Sequence, residues 1–144
     1  MMRRTIEQLL EDARSRIDRL EPAEAWAAAQ RGALIIDIRS DPDREIGVVP
    51  GSLHIPRTVL EWRLDPDSPW RSPYVGGLDQ QIVIMCDHGF SSSLAAATLS
   101  ELGFARVGDV IGGFTAWQEA GLPATPPTRR RDPDQFPGMA PPEP

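Results

Sequence analysis

Two short apolar runs, Ala33 to Ile38 and Ile82 to Cys86, constrain the fold of this chain more than any other feature. Each is continuous rather than alternating, as expected of a strand buried on both faces. Covering such strands takes helices on each side of a sheet, and the intervening stretches have the pattern for it. Pro22 to Arg31 opens with proline in a favoured first-turn position, is rich in alanine and stops at Gly32. Ser92 to Leu102 places Leu94, Ala95, Thr98, Leu99 and Leu102 on one face before Gly103. Arg57 to Leu64 reads as a further helix, and Phe114 to Ala120 as one closed by Gly121 and Pro123. Ser52 to Ile55 and Arg106 to Ile111 read as additional strands. Strands alternating with helices predict βαβ units and an α/β fold with a mainly parallel sheet.

The length, 144 residues, accommodates one such domain. No apolar run is long enough to cross a bilayer. Glu7, Glu11 and Asp12 interrupt any secretory signal at the start, so a cytoplasmic location is expected and a membrane partner is not. A formal charge of −6 and an isoelectric point near 4.9 disfavour nucleic acid as a partner. All 15 basic residues are arginine, which excludes Schiff-base lysine chemistry and the lysine of a P-loop. One cysteine and two histidines 34 positions apart exclude an internal disulfide and a Cys-rich zinc site, so no metal or cofactor is expected.

Composition divides the chain into three parts. Residues 1–16 form an extension in which Thr5 and Gln8 make a capping-box pattern ahead of Ile6, Leu9, Leu10 and Ala13. That amphipathic helix leans on the domain or buries its stripe in a partner. Residues 17–124 hold the domain. Residues 125–144 read as a flexible tail, because eight of the 15 prolines fall between Pro123 and Pro144 without hydrophobic periodicity. The triplet Arg129 to Arg131 within it reads as a solvated charge run.

Cys86 closes an apolar strand, and ligand crevices of open α/β sheets lie beyond the carboxyl ends of strands. Asp87, His88, Gly89, Phe90 and Ser91 follow, with a helix opening near Ser92. A loop of backbone N–H groups and a helix N-terminus around the sulfur would favour the thiolate and cradle an anionic substrate. A free cysteine also commonly just packs in a core, and the pattern alone leaves both readings open.

Four groups of residues carry a resemblance. Asp37-Ile38-Arg39, the run Pro50 to Pro56, Cys86 with Gly89 and Ser92-Ser93-Leu94-Ala95-Ala96, and Gly112 to Trp117 followed by Ala120 to Pro123 together resemble the signature series of rhodanese-like domains, from about Ile17 to Ala124. Val59 to Pro66 is similar to a single-domain bacterial type. The resemblance implies a central parallel sheet of about five strands with helices on both faces, and an active-site loop with the cysteine at its base. It also implies sulfurtransferase chemistry, in which the cysteine takes a sulfane sulfur from thiosulfate, a mercaptan or a persulfide and passes it to a nucleophile. The expected partners are thus a small sulfur-containing anion and a thiol or persulfide acceptor. Cys86 becomes the expected nucleophile, with Asp87, His88, Gly89, Phe90, Ser91 and Ser92 lining the substrate.

Departures from the family pattern qualify that picture. Ser91 stands where many active members have arginine, removing a charge-assisted contact with an anion. Asp87 raises the thiol pKa and a protonated His88 offsets it, which leaves the net sign open. His88 either orients substrate or is a loop histidine without a role. Val48 replaces a usual histidine and Asp43 a usual glutamate, changes expected to bear on stability rather than chemistry. Asp37 and Arg39 are expected to brace the loops as an ion pair, and Arg57 and Arg63 are candidate substitutes for the missing cation. His54 reads as a half-buried structural residue. Trp26, Trp62 and Trp117 are expected to pack helices on the sheet, and Trp70 to rim the pocket. A catalytically weak binding or regulatory module is the alternative function. Phosphatase chemistry on this fold requires an arginine in the loop and one more residue than Cys86 to Ser91 supplies.

Overall fold

A computed structural model describes residues 2–128 and 136–144. The chain runs α1 (Ile6–Ser15), β1 (Asp18–Leu20), α2 (Pro22–Gln30), β2 (Leu34–Asp37), α3 (Asp41–Arg44), β3 (Leu53–His54), a 3-10 turn (Arg57–Val59), α4 (Leu60–Leu64), β4 (Ile82–Met85), α5 (Ser91–Glu101), β5 (Val107–Val110) and α6 (Gly113–Glu119). The five strands form one sheet in the order β1-β5-β4-β2-β3, and every pairing is parallel. The expected α/β architecture is therefore present, with β1 and the four-residue α3 as elements the sequence pattern does not reveal.

The two apolar runs lie side by side, Ile36 opposite Ile84 and Asp37 opposite Met85. Alternate residues of each strand face opposite sides of the sheet. Ile36, Ile82 and Ile84 join Leu60, Leu64, Ala95, Ala96 and Leu99 on one side. Ile35, Val83 and Met85 meet Ala25, Phe114 and Trp117 on the other. Each continuous apolar run is thus explained by a helical layer on both faces.

Trp117 is fully buried and meets Trp26 edge to face at 5.8 Å between centroids, as expected of helix-packing tryptophans. Trp62 departs from that expectation. It is 58% exposed, because the short α4 turns Leu60 and Leu64 to the core and leaves Trp62 on its outer side. At the N-terminus the capping box forms, and α1 lies along α5 with Ala13 buried while Ile6 and Leu9 stay exposed.

The described part of the proline-rich end differs from a free tail. Thr125 bridges to Val48. Glu143 exchanges backbone hydrogen bonds with Gly51 and Ser52, each 2.9 Å, and its carboxylate pairs with Arg44 at 2.9 Å. Phe136 packs against Trp70. Proline has little backbone entropy to lose, so a few backbone and ionic contacts suffice to hold such a segment down. The Arg129 to Arg131 triplet lies outside the described residues. Among the described residues no helix is long and apolar enough to cross a membrane.

Candidate active site

The strand order makes β2 and β4 neighbours whose outgoing connections diverge, β2 leading to β3 at one edge and β4 to β5 on the other side. Such a reversal opens a crevice beyond the carboxyl ends of the strands. An open cavity of about 330 Å³ occupies that position, lined by Ile38, Arg39, Ser40 and Asp43 after β2 and by Cys86, Asp87, His88, Phe90 and Ser91 after β4.

Cys86 is only 7% exposed but borders this cavity. The Gly89 amide donates to its Sγ at 3.2 Å. Burial pushes the thiol pKa up, yet the polar groups of Ser92 and Ser91 and the Gly89 amide at the loop outweigh it and leave the thiol below its ordinary value. Gly89 bends the loop at φ 82°, and a Cβ there would lie 2.7 Å from the Gly112 nitrogen. Gly113 is equally constrained, since a Cβ on it would collide with the Cys86 carbonyl oxygen. The absence of side chains lets the start of α6 press against the loop, where Phe114 N–H donates to Cys86 O at 2.8 Å and Thr115 N–H to Asp87 O at 3.1 Å.

The other wall is ionic. Arg39 pairs with Asp37 at 2.8 Å with both side chains fully buried, and it also donates to the carbonyls of Gly47 and Asp43. Its guanidinium lies 4.0 Å from the centroid of Phe114. Arg44 joins Asp37 at 3.3 Å. Asp37 and Arg39 thus form a buried ion pair tied to the following loop, and Arg39 also lines the cavity. His54 Nε2–H donates to Arg39 O, 2.8 Å away, and the residue is half-buried. Burial and the nearby Arg44 charge lower its pKa despite that bond and the neighbouring carboxylates.

Several sequence expectations need correction. Arg57 and Arg63 do not reach the cavity. Arg57 is held by Glu61 one helical turn on, at 2.8 Å. Arg63 is buried, donating to Pro137 O and Trp70 O, because the C-terminal segment crosses over it. Trp70, packed at a tilt against Phe136, is absent from the lining. Asp43, expected to bear more on stability than on chemistry, lines the cavity from α3. Burial, together with a hydrogen bond and like charge from Asp43, holds the Asp87 carboxyl above its ordinary pKa. His88 is exposed on the rim, with Nδ1 3.3 Å from the Thr115 hydroxyl.

Two residues near the loop escaped the sequence reading. Arg14, at the end of α1, donates to Gly89 O at 2.9 Å and to Ser93 Oγ at 3.1 Å. Arg19, in β1, donates to the same carbonyl at 3.2 Å while pairing with buried Asp109 at 3.0 Å. Asp109 in turn accepts from the hydroxyls of Ser92 and Ser93 at 2.8 and 2.7 Å. No local pattern marks these arginines, since they meet the loop 75 and 70 positions away.

The fold agrees with the comparisons. The family model for the rhodanese-like domain matches residues 21–120. The chain belongs to the rhodanese-like domain family, and with it to the sulfurtransferase class of enzymes. A thiosulfate sulfurtransferase GlpE of Pseudomonas syringae pv. syringae is 33% identical over 69% of this chain and 86% of its own length. A Rhodopseudomonas palustris protein of unknown function, described as a possible tyrosine phosphatase, is 36% identical with a TM-score of 0.78, covering 87% of this chain and 97% of that one. The polysulfide-sulfur transferase homodimer of Wolinella succinogenes is 26% identical with a TM-score of 0.61, covering 83% and 86%.

Proposed function

We propose that Cys86 carries a sulfane sulfur as a persulfide between a small sulfur donor and a nucleophilic acceptor. With thiosulfate as donor, the Cys86 thiolate attacks the outer sulfur. A new S–S bond forms, the bond to the sulfonate sulfur breaks, and sulfite leaves with the bonding pair. The acceptor then attacks the terminal sulfur, and the thiolate is regenerated. No electron is gained or lost overall, and the cycle needs no second thiol. A compartment that keeps thiols reduced, such as the cytoplasm, suits a chain with a single cysteine.

The observation that carries this reading is the position of Cys86 in a concave loop, its sulfur hydrogen-bonded by the Gly89 amide and its pKa lowered by donors that serve a persulfide anion equally well. Asp87, His88, Phe90 and Ser91 then form the substrate-facing surface, with Gly89 and Ser92 as donors to the sulfur. Phosphatase chemistry fits less well. Arg39, the arginine among the lining residues, is already committed to Asp37 and two backbone carbonyls rather than free for a phosphoryl group.

Transfer from thiosulfate to a small thiol, measured for the wild type and Cys86→Ser, tests the proposal. Complete loss in the folded variant is expected, since the chain holds no other thiol. Transfer above the uncatalysed rate in Cys86→Ser would contradict it, and a wild type inactive with every sulfur donor would favour a binding module.

A further inference from the structure

We propose that Arg14 and Arg19 are positioning residues for Cys86, supplying from the N-terminal segment the support that a loop arginine would provide and that Ser91 cannot. The inference rests on the sulfur-carrying reading of Cys86. Its basis is the direction of the loop's carbonyls. Cys86 O and Asp87 O accept from the amides of Phe114 and Thr115, and Gly89 O accepts from Arg14 and Arg19. In a planar trans peptide the N–H points opposite to the C=O, and no cis bond occurs among the described residues. Holding these three oxygens fixes the planes of the peptides on either side of the one whose N–H, that of Gly89, meets the sulfur at 3.2 Å.

The three anchors are not equivalent. Backbone groups of α6 hold the first two, and the third depends on side chains that lie before the family-matched residues 21–120. Each arginine is itself fixed by a second partner, Arg14 by Ser93 Oγ and Arg19 by both oxygens of Asp109. The Arg14 guanidinium also lies 5.8 Å from the centroid of the Phe90 ring. A cation on a peptide oxygen strengthens the N–H at the other end of the same peptide, here that of Phe90, and the two guanidinium groups place positive charge behind the loop. Both effects favour an anion at Sγ, whether thiolate or persulfide. Neither arginine lines the cavity, so neither contacts the donor.

Arg14 is the cleaner target, because removing Arg19 leaves buried Asp109 without its ionic partner. The experiment compares the full chain with Arg14→Gln, Arg14→Lys and Arg16→Gln, the last removing an exposed arginine of the same helical end that pairs with Asp12 and Glu101. The pH dependence of Cys86 alkylation by iodoacetamide is read alongside thiosulfate kinetics and melting. In Arg14→Gln the alkylation midpoint should rise by about one pH unit, a tenfold loss of thiolate at a fixed pH below it. The kcat should fall with little change in the KM for thiosulfate. Arg14→Lys should lie between Arg14→Gln and the wild type, and Arg16→Gln should match the wild type. A lowered melting point with an unchanged midpoint would mean a structural role only and overturn the proposal, as would equal midpoints for Arg14→Lys and the wild type should Arg14→Gln fail to fold. Because alkylation needs no sulfur donor, it tests Arg14 independently of whether Cys86 carries a persulfide.

Discussion

At the end of β2 the pocket wall is built from side-chain charge, and at the end of β4 it is built from backbone dipoles. Asp37, Arg39, Arg44 and Glu143 form a chain of buried or nearly buried ions that pair with one another. The Cys86 loop contains no arginine or lysine, and its sulfur is met by the Gly89 amide. The first arrangement is rigid and intolerant, because removing one partner strands a charge in a low-dielectric interior. The second suits an anion that forms and disappears, since fixed dipoles stabilise it without a counter-ion that must be displaced. Under the proposed function, bracing and chemistry fall to opposite walls of one crevice.

That division predicts different consequences for substitutions a few ångströms apart. The largest effect on the fold is expected for Asp37→Asn, which leaves the guanidinium groups of Arg39 and Arg44 facing an uncharged amide. The loss should be about 3–5 kcal/mol, a fall in melting temperature on the order of 10 °C by calorimetry. A drop of only 1–2 °C would mean that the ionic wall is not what holds this side together.

Next in size is Ser91→Arg, which adds charge to the wall that lacks it. Ser91 is exposed at the cavity, so a longer side chain has room there. A charge-assisted contact of roughly 1.5–3 kcal/mol should raise kcat/KM for thiosulfate by about 10- to 150-fold and leave a neutral sulfur donor nearly unaffected. Equal changes with both donors would show that charge at this position does not select the donor.

Asp43→Asn should have a smaller effect. Without the Asp43 charge and hydrogen bond the Asp87 pKa falls back toward its ordinary value, but one of two carboxylates at the mouth is gone. The KM for thiosulfate at neutral pH should drop by about two- to fivefold. In the wild type the same KM should rise as pH increases through the raised Asp87 pKa, because deprotonation adds negative charge to the mouth. A KM that is flat with pH and unaffected by Asp43→Asn would remove both carboxyl groups from donor recognition.

The contrast between the walls also governs what could be read from sequence. The β4 wall was legible because a continuous apolar run, a cysteine, a glycine and a helix start follow one another in sequence, so their spatial order is their chain order. The β2 wall was legible only at Asp37 and Arg39. Asp43 sits on a helix of four residues, too short to leave a periodic pattern, and its approach to Asp87 depends on how β2 and β4 pair. Arg14 and Arg19 belong to an amphipathic helix and a three-residue edge strand carrying Asp18 and Arg19, neither of which announces a role at a loop some 70 residues later. Arg57 and Arg63 failed as substitutes for the loop cation for a related reason. Their partners, Glu61 and the carbonyls of Pro137 and Trp70, are set by helix phase and by a docked C-terminal segment.

The central claim is that the dipolar wall stabilises an anionic sulfur on Cys86, and the most direct measurement is the intact mass of the protein after incubation with thiosulfate or a persulfide donor and removal of the excess. The account predicts a species heavier by one sulfur atom, about 32 Da, that maps to Cys86, disappears on addition of a small thiol and is absent from Cys86→Ser. An unmodified mass under conditions in which iodoacetamide readily alkylates Cys86, or the same adduct in Cys86→Ser, would contradict it.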